Sequence, residues 1–204
     1  MEAVLAWIEK GGIVMYPLIL LSILSWYVII ERAVNLRVRN YLPRNLMEIK
    51  ALISRGDYES ALKISSVVEH PFTKAISVTL EEYLKGRKDK GYLIRLMEEE
   101  LSSLVPKIEK NLPILSTTAS VAPLLGLFGT ITGLIKVFQA FAVTAQGEAL
   151  NLLAKGISEV LVAAATGLGV AIPALLAYWV YKTIGNHILD KISEEAREII
   201  HFLE

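Results

Sequence analysis

The sequence predicts an all-α membrane protein: three transmembrane helices, with long helices extending into a cytoplasmic helical bundle. Three observations predict it. The 204 residues are 53% hydrophobic with a mean hydropathy of +0.48, more apolar than a soluble domain of this length. That apolarity concentrates in three windows free of Asp, Glu, Lys and Arg: residues 11–30, 112–135 and 160–181. Each holds about 20 residues or more, enough at about 1.5 Å per residue to cross a hydrocarbon core of roughly 30 Å. Outside the windows, in residues 31–111 and in the tail, apolar residues recur at helical spacing.

The totals also exclude function classes. Lys plus Arg balance Asp plus Glu, so no basic surface points to nucleic acid. Cysteine is absent, which removes disulfides, thiolate metal sites and a cysteine nucleophile. His70, His187 and His201 lie too far apart in sequence to suggest a metal centre and read as surface or interface residues. No cofactor is implied. No nucleophile–base pair appears, and GLFGTITG lies inside an apolar window with no following lysine to hold phosphate, so an enzyme is not expected.

In chain order, residues 1–10 form an outer segment and 11–30 the first span. Glu2, Glu9 and Lys10 before it, and Arg32 to Arg39 after it, do not fit a cleaved signal peptide. Residues 31–55 carry Arg32, Arg37, Arg39, Arg44, Lys50 and Arg55, against only Lys10 before the first span and Lys136 and Lys155 between the second and third. Positive charge stays inside, so the N-terminus lies outside, 31–111 is a cytoplasmic helical domain, and the C-terminus is cytoplasmic. Within that domain, Leu46, Ile49, Leu52 and Ile53 share a helix face. Gly56-Asp57 ends it, and a helix from Tyr58 runs to His70-Pro71, making a hairpin. Residues 86–91 make a surface turn, and an apolar stripe from Tyr92 runs almost unbroken into the second span at 112–135, with Pro106 and Pro113 able to bend it. Residues 136–159 form an outer loop and the start of the third helix, 160–181 its span, and 182–204 a cytoplasmic helix.

The second span is unusual for a helix that only sits in lipid. Pro123, Gly126, Gly129 and Gly133 weaken it, and Thr130 and Thr132 add hydroxyls. At helical periodicity Pro123, Gly126, Thr130, Gly133 and Val137 share one side. In the third span Glu159, Ala163, Thr166, Gly169 and Pro173 share another, with Gly167 a further small residue. Gly129 to Gly133 has GxxxG spacing, which lets backbones approach closely in lipid. Two readings stay open: these faces pack helix on helix, with hydroxyls bonded to carbonyls a turn earlier, or they line a narrow, hydrated path. Glu159, at the outer end of a span, favours a path, because intramembrane acids are costly and functional. The spans themselves hold no acid, so a titrating group at mid-bilayer would have to come from another subunit.

The sequence resembles the ExbB/TolQ/MotA family of ion-driven motor proteins, in its three-span, ExbB- or TolQ-like branch. The resemblance rests on Ala122-Pro123-Leu124-Leu125-Gly126-Leu127-Phe128-Gly129-Thr130 with Gly133, and on Gly156-Ile157-Ser158-Glu159. It continues in Ala163-Ala164-Ala165-Thr166-Gly167-Leu168 and Ala171-Ile172-Pro173-Ala174, with Glu31-Arg32 and Gly56-Asp57-Tyr58 in agreement. It implies a proton-channel subunit of the bacterial inner membrane, forming a homo-oligomeric ring, commonly a pentamer. The second and third spans would surround a single-span ExbD- or TolR-like partner bearing a membrane aspartate, and drive a TonB- or TolA-like protein. Thr130 and Glu159 match family path residues. Ala164 stands where the family has threonine, and Thr166, about 200° further round the helix, cannot simply replace it. The reading from another class is a non-conducting membrane scaffold that binds partners.

Overall fold

The computed structural model describes residues 11–143 and 146–203, apart from the side chains of residues 141, 143, 146–150, 152, 155 and 159. Among the described residues every regular element is helical. After a single 3-10 turn at Gly12–Val14 come α1 (Met15–Asn35), α2 (Leu46–Ser54), α3 (Tyr58–Val67), α4 (Pro71–Leu84), α5 (Lys90–Ser102), α6 (Val105–Ile108), α7 (Leu112–Val143) and α8 (Gln146–His201). A further 3-10 turn, Val38–Asn40, separates α1 from α2. Three of these elements are long and apolar enough to cross a membrane. The chain divides into two compact units, Met1–Arg32 with Asn111–Val180, and Ala33–Lys110 with Tyr181–Glu204.

The first unit joins α1, α7 and the first part of α8. Its interior is small: Val14, Met15 and Leu18 meet Ala122 and Ala171, with Leu21, Leu125 and Val170 packed against them. The large side chains point outward instead, among them Leu20, Trp26, Phe128, Ile131, Ile172 and Leu176. A soluble domain would bury those residues. Here the exterior is as apolar as lipid, and small interior residues let the backbones touch. Helix α7 runs on past the charge-free window to Val143, so the stretch after Ile135 continues a helix where a loop was expected. Loss of apolar character marks where lipid ends; the backbone hydrogen bonds of the helix need no such boundary.

The second unit packs α2–α6 around the last turns of α8, with Ile49, Ile53, Phe72, Ile76, Leu93, Met97, Ile108, Ile188, Ile192 and Ile199 in its core. Each short helix has a local cause. Gly56 adopts φ +79 to end α2, a left-handed conformation that costs glycine nothing. The Asp57 carboxylate accepts the Ser60 N–H at 3.2 Å and caps α3. His70 Nδ1 accepts the Phe72 N–H at 3.1 Å ahead of Pro71 at the start of α4, and Asp89 accepts the Tyr92 N–H at 2.7 Å to start α5. His187 and His201 are exposed. The stripe from Tyr92 is not one helix: α5 stops at Ser102, Pro106 falls in the first turn of α6, and Asn111 turns the chain at φ 64 before α7. Proline lacks an N–H and so settles where a helix has no use for one. Lys50 on α2 joins Glu195 at 2.9 Å and Glu198 at 2.5 Å on α8, and Lys182 pairs with Glu109.

Candidate functional site

Five glycines, Gly126, Gly129 and Gly133 of α7 and Gly156 and Gly167 of α8, are used up where these two helices meet. A Cβ on Gly126 would lie 3.0 Å from the Ala163 carbonyl oxygen and 3.3 Å from the Gly167 Cα. One on Gly167 would lie 2.6 Å from the Ala122 carbonyl oxygen and 3.0 Å from the Gly126 Cα. A Cβ on Gly129 would lie 2.9 Å from the Ala163 Cβ, one on Gly133 would meet Val160, and one on Gly156 would meet Val137. The two helices therefore run antiparallel, with backbone against backbone where Gly126 meets Gly167 and with the side chains of Ala163, Val160 and Val137 filling the seam beyond. On α8 this seam is Gly156, Val160, Ala163, Gly167, Ala171 and Ala174, all buried. Steps of four, three, four, four and three residues keep to one side of a 3.6-residue helix. The expected stripe through Thr166 and Gly169 drifts off that side. Gly169 is exposed and a Cβ there would meet nothing within 4 Å. Gly156 was legible only as part of a motif; its spacing of seven and eleven residues from Ala163 and Gly167 is the signal that joins it to the seam.

The seam has two flanks. Thr132 borders a cavity of about 180 Å³ that Gly11, Gly12, Gly133, Lys136 and Gly156 also line, so its flank is the one α1 covers. Thr130 stands about 200° round α7 from Thr132 and is half-buried on the opposite flank. On α8, Val170 packs on the cluster that α1 helps to form, and Thr166, one turn earlier, shares its flank. Ala164, about 160° from Thr166, lies across the seam on the flank of Thr130, and its Cα sits 3.2 Å from where a Gly126 Cβ would be. Register thus groups Thr130 with Ala164 and separates both from Thr166. Glu159 lies in α8 two turns before Thr166; its side chain falls outside the described residues.

The hydroxyls share one chemistry. Thr130 donates to the Leu127 carbonyl at 2.6 Å, Thr132 to Phe128 at 2.9 Å, and Thr166 to Val162 at 2.7 Å. A hydroxyl whose proton is held by its own helix keeps lone pairs free to accept a hydrogen bond from a protonated acid or a water. Pro123 in α7 and Pro173 in α8 are both half-buried inside their helices. Each lacks the N–H that would bond the carbonyl four residues back, at Ala119 and Gly169.

The sequence pattern of the MotA/TolQ/ExbB proton channel family matches residues 64–194. The ExbB-like biopolymer transport protein 1 of Synechocystis is 32% identical over 197 residues, covering 93% of this chain and 75% of its own. The TolQ protein of the Tol-Pal system of Haemophilus influenzae is 31% identical over 183 residues, covering 81% and 76%. The biopolymer transport protein ExbB of Neisseria meningitidis is 27% identical over 175 residues, covering 79% and 77%. A match over more than half the chain, together with relatives aligned over about three quarters of their own length, means that the protein belongs to the MotA/TolQ/ExbB proton channel family.

Proposed function

We propose that the chain is the ring-forming subunit of an inner-membrane proton channel. It couples the proton motive force to work at the outer membrane through an ExbD/TolR-like single-span partner and a TonB- or TolA-like protein. Family membership supports the class of activity, and the names of the ExbB and TolQ relatives support the two systems. The observation that carries the site is the open flank of the α7–α8 seam. The seam glycines are occupied within the chain, so a foreign helix would dock beside Thr130 and Ala164, where two small side chains flank the seam.

An aspartate on that helix, when protonated, donates to Thr130 Oγ1, whose own proton the Leu127 carbonyl holds. When the aspartate ionises, the hydroxyl rotates and donates to the carboxylate instead. The same threonine thus serves both protonation states of the carrier. Ala164 offers no hydroxyl, so Thr130 acts without a threonine partner on this flank, and Thr166 has a structural role beside α1. Glu159, two turns before Thr166 and so on its side of α8, stands at the outer end of the seam as the acid that exchanges protons with water. The N-terminus is periplasmic, and the second unit and C-terminus are cytoplasmic. A proton crossing the membrane releases about 2.3 kcal/mol per 100 mV, enough to bias the helix between two such states.

The test is partner-dependent proton flux in liposomes, with copy number read from the intact mass of the complex. Thr130→Val and Glu159→Ala abolish flux while the ring assembles, and Thr130→Ser and Thr166→Val retain it. Normal flux in Thr130→Val would refute the assignment. The fully occupied glycine seam favours a second reading, a non-conducting scaffold, which predicts no flux with any partner.

A further inference from the structure

We infer that Ser25 of α1 and Thr118 of α7 together bind one water molecule buried within the membrane seam between these two helices. Both side chains are buried, at 2% and 0% exposure, and neither hydroxyl has a hydrogen-bond partner. That sets them apart from Ser120, Thr130, Thr132 and Thr166, each of which donates to a carbonyl of its own helix. Ser25 and Thr118 make no such bond to a carbonyl of their own helix.

Register turns them toward each other. A Cβ on Gly129 would lie 3.4 Å from Val14, and Leu18 and Leu21 pack in one cluster with Ala122 and Leu125. The helices are antiparallel, so each step forward on α1 matches a step back on α7. Ser25 is one turn beyond Leu21, and Thr118 one turn before Ala122, which brings the two hydroxyls to the same level on facing sides. Val28 and Leu115, the next buried residues along each helix, are apolar.

An unsatisfied hydroxyl in a seam that lipid surrounds is costly, and no bulk water is near to relieve it. The two oxygens make no direct hydrogen bond, so each buried hydroxyl still lacks a partner. One water closes the account: both hydroxyls donate to its oxygen, and its own protons reach carbonyls of the flanking turns, which have a lone pair to spare. Two neutral hydroxyls cannot offset the charge of a cation in so dry a place, so water is the ligand.

The experiment is a high-resolution density map of the full complex in lipid nanodiscs, paired with a double-substitution cycle on its thermal unfolding midpoint. The map shows an isolated peak about 2.8 Å from both Ser25 Oγ and Thr118 Oγ1. Ser25→Ala and Thr118→Val each lower the midpoint by about 2–4 °C, and the double substitution recovers most of that loss, because nothing polar is then left unpaired. A map with the two oxygens in direct contact, or with no peak between them, overturns the inference, as does a double substitution that sums the two losses. The wild-type map decides the matter even where a variant fails to assemble.

Discussion

Gly167 and Gly169 stand two residues apart in one helix, yet alanine should act on them with opposite sign. At Gly167 the added methyl would lie 2.6 Å from the Ala122 carbonyl oxygen and 3.0 Å from the Gly126 Cα. Both atoms belong to the backbone of a helix and cannot step aside as a side-chain tip would. Ordinary contact begins near 3.4 Å, so α7 and α8 must part locally by about 0.8 Å. Neighbouring contacts at Gly126 and Gly129 then loosen as well. Overpacking of this kind costs about 1–3 kcal/mol, against which alanine returns up to about 1 kcal/mol of helix propensity. The net loss is about 1–2 kcal/mol, or about 2–5 °C in the unfolding midpoint of the purified protein. At Gly169 nothing lies within 4 Å, only the propensity gain remains, and the midpoint stays level or rises. The measurement is thermal unfolding by tryptophan fluorescence in detergent for both single variants. If Gly167→Ala is neutral, or Gly169→Ala is the more damaging, the seam is not where the close backbone contact lies.

Two further expectations concern the second unit. Burial alone would pull the Lys50 ammonium down, but hydrogen bonds and charge from Glu198 and Glu195 outweigh it and hold it above its ordinary value. Lys50→Met leaves the mostly buried Glu195 with only a distant contact to Lys191 at 3.7 Å and should cost about 1 kcal/mol, with little relief from added salt; an unchanged denaturation midpoint would contradict this. Burial, helped by the charge of Lys107 and opposed by a backbone contact of Asn40, holds His70 below its ordinary 6.5. The unfolded chain therefore takes up the proton first, so the stability that neutral His70 contributes is complete above pH 6.5 and is lost as pH falls through the folded value. Protonation also removes the acceptor for the Phe72 N–H. Midpoints recorded from pH 8 to 5 should fall on the acid side and flatten in His70→Asn, which can still cap α4.

The spans were plain in the sequence because lipid imposes one crude rule, and charge-free windows at residues 11–30, 112–135 and 160–181 obey it. Helix ends were less legible. Lys136 ends the lipid-like stretch but not α7, and the break before the second span hangs on Asn111 at φ 64, which no apolar pattern announces. Gly56-Asp57 and His70-Pro71 were readable because their caps act over two or three residues. At the site, periodicity assigned Gly126 and Gly133 to a face but gave no sign of what that face meets. Only the fold places Ala163 and Gly167 opposite them, and so parts Thr130 from Thr166. Ser25 carried no signal, since a lone serine in an apolar helix ordinarily bonds its own backbone.

The glycine seam has a mechanical corollary. Where Gly126 and Gly167 meet with no side chain between them, there are no rotamers to rearrange, and sliding one helix past the other would drive the carbonyls of Ala122 and Ala163 into opposing Cα atoms. The pair is a stave. If a ring of such staves passes protons while its central helix turns, the give must come at the joints between neighbouring chains, or between stave and axle, and the wood itself stays stiff.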